Sequence, residues 1–485
     1  MAREILETLA QNLTTDLFEA HMLRKKQGGK SGKFLNFWFK SRTNSAGDII
    51  FGGNNGDWEA ICMKKLVILG HGTGGTIIAT KMRRQLPEKE WQITVIDRDW
   101  QHHYQPGWLL IPFGLYTLAD CVKPKSKFVP PGVNFVLDDI AGIDPIKSQV
   151  RTKRDTYPYD WLVIGTGCRI VPEEVQGLTS GWGQDIHNFY TSEGAVALFE
   201  KLKYFDKGRV VLNIAEAPFK CPVAPLEFVF MADWYFTING VRENVEIELV
   251  TPLPGAFTKP MASKILGQIC EQKNIKVTPN YQLAEVDSEK KLIKSYQGQE
   301  VPYDLLVSIP PNFGAQCLID SEMGDPMGYV ETDNFTLKAK KFDHIYVLGD
   351  AANVPTSKAG SVAHYEADVV ADNLQREIDG HEPKPDYDGH STCFVVTGYN
   401  QGSLLDFNYK IEPLPGKFPF PGLGPFDLLG ESFVNFMGKM MFRWTYYNMM
   451  LKGSHLPLEN QFVLAGKVRG ILSPDIELPL RRKRP

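Results

Sequence analysis

Three glycines and one acid carry the first chemical signal. Gly70, Gly72 and Gly75 stand in G-x-G-x-x-G spacing, with Thr73 and Gly74 inside the turn. A buried-type run, Leu66 to Leu69, precedes them; an apolar helical stretch follows, then a second strand, Ile93 to Ile96, ending at Asp97. This is the βαβ dinucleotide fingerprint in its required context. Gly70 permits the tight turn, Gly72 lets the backbone approach a pyrophosphate, and Gly75 lets helix pack on strand. The N–H groups at the helix start face phosphates, and the Asp97 carboxylate can accept ribose hydroxyls. The glycine spacing alone is weak; the two strands and the placed acid make it specific.

Sulfur is the second candidate. Seven cysteines are scattered without a C-x-x-C pair or metal-ligand spacing, which indicates neither a metal site nor a small disulfide framework. Cys221 follows Lys220 between Pro218 and Pro222, in a loop at the carboxyl end of a strand. Ligand sites of α/β folds form there, and a nearby helix start favours thiolate. Cys393 lies in a tail segment with no other evident purpose. An isolated cysteine is ordinarily a small buried hydrophobe, and two so far apart cannot be paired from sequence alone. Cys168, in GTGCRIVPEE, follows a strand and reads as structural; Cys62, Cys121, Cys270 and Cys317 have no functional context.

These residues must be held by a large scaffold. The 485 residues predict two or three domains with ample core, of ordinary globular composition. A net charge of −4 gives no reason to expect nucleic acid. No uninterrupted apolar run is long enough to span a bilayer, and no secretory signal is evident at the start. Residues 1–62 read as an extension, non-native or disordered and dispensable, with a short amphipathic helix over Glu4 to Leu23. Val133 to Ile140 and Tyr159 to Gly167 (YDWLVIGTG, with Thr166 in its closing turn) read as strands. A second βαβ unit starts at Gly208, with a strand, the Pro-punctuated loop of Cys221, an apolar helix, and a strand over Val245 to Val250. NIAEAPFKCPVAP stands there in place of glycines, so this unit is not expected to take NAD. Val301 to Ile309 resembles YDWLVIGTG, and Phe342 to Asp350 is a strand ending at Gly349 and Asp350 before a helix.

The order of these pieces resembles the two-dinucleotide-domain flavoprotein disulfide reductases. Within them, HYQPGW (His103 to Trp108), FKCPVAP (Phe219 to Pro225), GDAANVPTSKAG (Gly349 to Gly360) and CFVVTGYN (Cys393 to Asn400) resemble the sulfide:quinone oxidoreductases, over roughly Met63 to Leu451. The two-cysteine branch, with its mitochondrial members, is most similar. The resemblance implies an α/β fold of two Rossmann-like dinucleotide-binding domains, glutathione-reductase-like, with a C-terminal amphipathic helical tail that contacts a membrane. The implied division is 63–170 and 311–385 for FAD, 171–310 for the second Rossmann-like domain, and 386–485 for the redox cysteine and quinone region. FAD contacts are implied at Thr73, Gly74, Asp97, Gln105, Ile140, Asp350 and Gly360. Lys358 and the helix start beside it would face the flavin's pyrimidine edge.

The family also implies the chemistry. Hydrogen sulfide attacks an oxidised Cys221–Cys393 pair at Cys393, leaving a persulfide there and a thiolate on Cys221 that passes electrons to the flavin. A sulfur acceptor (sulfide, sulfite, a thiol or polysulfide) removes the sulfane sulfur, and a quinone takes the electrons. Some members carry a third cysteine where this chain has Tyr190, so that link to FAD is not available. The tail is expected to be a Pro- and Gly-broken loop followed by helix over Phe426 to Leu451, too charged to span but suited to the membrane interface. Lys417, Phe418 and Phe420 are candidates for quinone contact, and the basic end LRRKRP for anionic lipid. Peripheral membrane association is therefore expected, and homo-oligomers are left open. The rivals are a type II NADH:quinone oxidoreductase, which needs the glycine turn missing near Asn213 to Pro218, and the flavin subunit of a flavocytochrome sulfide dehydrogenase. A flavin-binding scaffold without enzymatic activity is the third, should Cys221 and Cys393 be distant in the fold.

Overall fold

Leu66, Val67, Ile68 and Leu69 are each no more than 2 % exposed, so their strand, Lys64–Leu69, is covered on both faces. That burial is what a parallel sheet between helical layers requires. In the computed structural model the described residues are 63–420, 422–454, 456 and 461–467, together with the backbone of three short strands, Lys40–Thr43, Ile49–Gly52 and Trp58–Ala60. Those three strands form their own antiparallel sheet. The expected helix over Glu4 to Leu23, Cys62 and the basic end LRRKRP lie outside the described residues.

The first large sheet is parallel, in the order Ile345–Val347, Trp161–Ile164, Lys64–Leu69, Trp91–Asp97, Val133–Leu137. The chain leaves Lys64–Leu69 through the helix Thr73–Gln85, adds strands on one side, and returns later on the other. A crevice opens at the carboxyl ends where this direction reverses. The second sheet repeats the plan, in the order Ile186–His187, Leu305–Ile309, Gly208–Ile214, Val245–Val250, Ile275–Thr278, again parallel. Two Rossmann-like units are therefore present, as the resemblance implied.

Two expectations are corrected in detail. Val133 to Ile140 is not one strand: Val133–Leu137 stays in the parallel sheet, whereas Ile140–Asp144 starts an antiparallel ribbon. The break falls at Asp138, whose N–H donates to Asp97 O and whose carboxylate accepts the Arg154 N–H. The tail is also not simply loop and helix. Ser391–Gly398, Gln401–Phe407, Gly424–Leu428 and Gly416–Phe420 form a four-stranded sheet in that order. Asn400, at φ +62°, closes the first hairpin in the left-handed conformation that asparagine tolerates.

Because Phe426 to Leu428 is paired as strand, the last helix starts later than expected and spans Phe433–Thr445. Ser432 Oγ caps it by accepting the Asn435 N–H. One wide turn, Tyr446–Met450, continues it. Its inward side carries Asn435, Phe436 and Lys439, while Phe433, Val434, Met437, Met441 and Trp444 are exposed.

Candidate active site

The glycine turn behaves as its spacing predicts. Gly70 has φ +87°, and a Cβ on Gly75 would stand 1.8 Å from Gly70 O, so helix and strand touch through backbone alone. A Cβ on Gly72, Gly167 or Gly360 would meet nothing within 4 Å, because each faces open space. Asp97 accepts the N–H of His71 at 2.5 Å and of Asp99 at 2.9 Å, and pairs with Lys125 at 2.7 Å. Burial pushes its carboxyl up, but the Lys125 ammonium and these N–H groups hold it below the usual carboxylate range. Thr73 Oγ1 shares a 2.7 Å hydrogen bond with Tyr446 OH, which also meets His102 Nε2 at 2.8 Å.

The return strand Ile345–Val347 supplies the opposite wall. Gly349, at φ +67°, turns the chain so that Asp350 follows the strand end. Lys358 Nζ donates to the carbonyls of Asp350 and Ala352, both at 2.9 Å. The 19-residue helix Gly360–Ile378 starts beside them. Its positive end points at the space between.

One cavity, open to solvent, runs between these walls. Gly70, Gly72, Thr73, Gly74 and Asp97 line one end, and Gln105, Thr166 and Gly167 the side. Gly349, Asp350, Lys358 and Gly360 line the other end. Gly75 lies behind the turn it permits. Ile140 does not line the cavity; it starts the antiparallel ribbon beyond Asp138. Two lining groups, Trp108 Nε1 and Thr166 Oγ1, are buried without a protein partner.

Cys221 and Cys393 both line this cavity, as free thiols. The first unit's return segment holds Cys221 in place: its N–H donates to Lys358 O at 2.6 Å. Its φ is +51°, a left-handed conformation that a non-glycine residue adopts at some cost. Cys393 reaches the cavity from the strand Ser391–Gly398, with Ser391 Oγ 3.9 Å from its sulfur. Burial pushes the Cys221 thiol up to about 12, against the pull of the Lys439 ammonium and with the Glu227 carboxylate adding to it. Burial likewise raises Cys393 to about 11, again opposed by Lys439. Cys168, expected to be structural, is also in the lining, with its sulfur 3.5 Å from Asp350 Oδ2.

The candidate quinone residues are placed elsewhere. Lys417 pairs with Asp427 across the hairpin, Phe418 lies 5.5 Å under the Lys467 ammonium, and Phe420 is 62 % exposed. None lines the cavity: pairing with Gly424–Leu428 places this segment at the outer edge of the four-stranded sheet, two strands beyond the neighbour of Cys393's strand. Phe394, Phe442 and Lys439 line it instead, with Glu227. Sequence reasoning missed these four. A usable signal existed for Glu227, the lone acid in the apolar run APLEFVFMA, since a charge at a buried helical position needs a partner. Lys220 was noticed only as the neighbour of Cys221. Its ammonium reaches Gln105 Oε1 at 2.9 Å, stands over the ring of Trp108, and so joins the Cys221 loop to the YQP segment.

No protein-family model matches the chain. The mouse mitochondrial sulfide:quinone oxidoreductase is 28 % identical over 398 residues, covering 80 % of this chain and 86 % of that protein. The Dictyostelium discoideum protein of the same name is 28 % identical over 397 residues, with the same coverage. Type II NADH:quinone oxidoreductases are more distant, a Staphylococcus aureus one being 23 % identical over 73 % of this chain. The solved structure of the Aquifex aeolicus sulfide:quinone oxidoreductase superposes with a TM-score of 0.68, over 81 % of this chain and 92 % of that one, at 20 % identity. In sequence and in fold, the chain is a relative of the sulfide:quinone oxidoreductases.

Proposed function

We propose that the chain is an FAD-dependent oxidoreductase that oxidises hydrogen sulfide to sulfane sulfur and reduces a quinone, with Cys221 and Cys393 as the redox pair. One observation carries this reading: two thiols remote in sequence line the cavity that begins at the glycine turn. The residues fit FAD. Gly72, Gly167 and Gly360 leave room where a side chain would intrude, and the unpartnered Trp108 and Thr166 groups face the same space. Thr73, Gly74 and Asp97 would hold the adenosine and pyrophosphate half; Asp350, Lys358 and the helix start at Gly360 would hold the flavin half. Bound there, FAD supplies a two-electron acceptor that passes reducing equivalents from sulfur to quinone. In domain terms, 63–170 with 311–385 holds the nucleotide, 171–310 delivers Cys221, and 386–485 delivers Cys393.

The chain's own part in the reaction is sulfur exchange. The oxidised pair presents an electrophilic disulfide. Hydrosulfide bonds to Cys393 Sγ as the Cys393–Cys221 bond breaks, leaving a persulfide on Cys393 and a thiolate on Cys221. A nucleophilic acceptor then takes the outer sulfur and leaves Cys393 as thiolate; the two reduced sulfurs re-form their bond by giving up two electrons to the acceptor bound beside them. Phe394 and Phe442 offer flat apolar faces for a quinone ring in the same cavity. None of the described helices is long and apolar enough to cross a membrane. The exposed stripe Phe433, Val434, Met437, Met441 and Trp444 suits a helix lying in the lipid interface, where such a ring resides.

An anaerobic titration tests this reading. Sulfide is expected to bleach the bound flavin, and a short-chain quinone to restore its colour. Bleaching by NADH with indifference to sulfide would overturn it in favour of the type II rival. Tight co-purification of a cytochrome that oxidises the flavin would favour the flavocytochrome rival.

A further inference from the structure

Three segments that meet at the thiols are fastened through one carboxylate. Glu227 is fully buried on the helix Ala224–Ile238, which starts just after Cys221. Its Oε1 accepts the N–H of Val396 at 2.8 Å, and Val396 lies on the strand of Cys393. Lys439 Nζ, from the helix Phe433–Thr445, meets Glu227 Oε1 at 2.7 Å and Oε2 at 2.9 Å, and donates to Phe394 O at 3.4 Å. Both side chains line the cavity that holds the two thiols. A buried pair gives up much hydration, and an apolar pair of equal volume would pack the three elements as well or better. Packing alone therefore does not explain it.

We propose that Glu227 and Lys439 are positioning residues for the cysteine pair: the carboxylate sets the spacing of the two cysteine-bearing segments, and the ammonium holds whichever sulfur is released as thiolate. This rests on the reading of Cys221 and Cys393 as redox partners. While both sulfurs are uncharged, the anion that Lys439 meets is Glu227. Once a sulfur becomes anionic, the ammonium has two anions within reach. Lys439 acts on both sulfurs, and Glu227 opposes it at both. Each thiol faces the other, Tyr190 faces Cys221, and Tyr365 and the Ser391 and Ser361 hydroxyls face Cys393. Lys220, Lys358 and Asp350 act on Cys168. Lys439 is the cation that acts on both sulfurs of the pair, and it arrives on the helix whose opposite face is apolar and exposed.

The test is the pH dependence of alkylation at Cys221 and Cys393 in the reduced holoprotein, read peptide by peptide with iodoacetamide. Lys439→Met is expected to move both profiles to higher pH, with about tenfold slower labelling at a fixed pH below the midpoint, the equivalent of one pKa unit. Glu227→Gln, which removes a negative charge at constant shape, is expected to move them to lower pH. Lys439→Arg keeps the charge and is expected to restore the native profile. Opposite signs separate a charge effect from loosened packing, which would shift both variants in one direction. Profiles that move together, or do not move, overturn the proposal. If Lys439→Met does not fold, the downward shift of Glu227→Gln decides. The labelling uses neither sulfide nor quinone, so a failure of the substrate reading appears in the anaerobic titration and a failure here in the alkylation profiles.

Discussion

The two Rossmann-like units differ most at the end of their first strand. In the first unit, Lys64–Leu69 runs into glycines, and the backbone itself becomes the binding surface: Gly70 turns at φ +87° and Gly75 lets the helix press against its carbonyl. In the second, Gly208–Ile214 runs into AEAPFKCPVAP, and side chains fill the corresponding end. Phe219 and Val223 are buried there, Tyr190 OH donates to Lys220 O at 2.8 Å, and Cys221 is delivered outward into the first unit's cavity. The same frame ends in an open glycine turn in one copy and, in the other, in packed side chains that present one sulfur to the cavity. A Rossmann plan therefore says where chemistry occurs, at the carboxyl ends of the strands, but not which chemistry.

The comparison can be broken most severely at sulfur. Cys221→Ser and Cys393→Ser are each expected to lower sulfide-dependent flavin reduction by about a thousandfold or more in stopped-flow, because the sulfur exchange needs both sulfurs. Near-native rates in either would remove that residue from the reaction. Gly75→Ala comes next. Its Cβ would stand 1.8 Å from Gly70 O, so the turn must open, at a cost of about 1–3 kcal/mol and of bound flavin, read as the flavin-to-protein ratio. Ala217→Gly in the second unit is expected to leave that ratio unchanged and to confer no flavin bleaching by NADH.

A pH effect sharpens the first unit further. Glu366 lies behind its return turn and accepts the Gly349 N–H; burial raises its carboxyl to about 8, against the pull of that N–H and of Lys358. Its folded value lies above the unfolded one, so the fold binds the extra proton. Stability is then expected to fall as pH rises from roughly 4.5 to 8, and to level beyond. Glu366→Gln should flatten this slope, raising the melting temperature more at pH 8.5 than at pH 5.5. The smallest effect is expected on the tail hairpin. Phe420→Ala should change quinone-dependent reoxidation less than about twofold, as a surface substitution does, whereas Phe442→Ala, inside the cavity, should slow it.

Much of this was legible in the sequence, for identifiable reasons. Glycine spacing, strand runs and Asp97 report backbone geometry directly, because few residue types can occupy those positions. Cys221 could be flagged by its strand-end loop, though the expectation that it shares a cavity with Cys393 required the resemblance. The tail was the weak point. Aromatics and prolines at Lys417 to Phe420 look like a binding loop, yet cross-strand pairing with Gly424–Leu428 directs them away. Lys439 read as one more charge on an amphipathic helix; here the helix turns it inward and leaves Phe433, Met441 and Trp444 exposed, which reverses the usual reading of such charges.

The bond between Thr73 and Tyr446 joins residues 373 positions apart. The motif that announces nucleotide binding is complete as text within a few residues, but the hydroxyl that steadies its helix start is synthesised 373 residues later. A polypeptide halted before Tyr446 would carry the full fingerprint and leave Thr73 without this brace. Cofactor capture by this protein is therefore expected to wait for the same segment that carries Lys439 and Phe442 to the cavity.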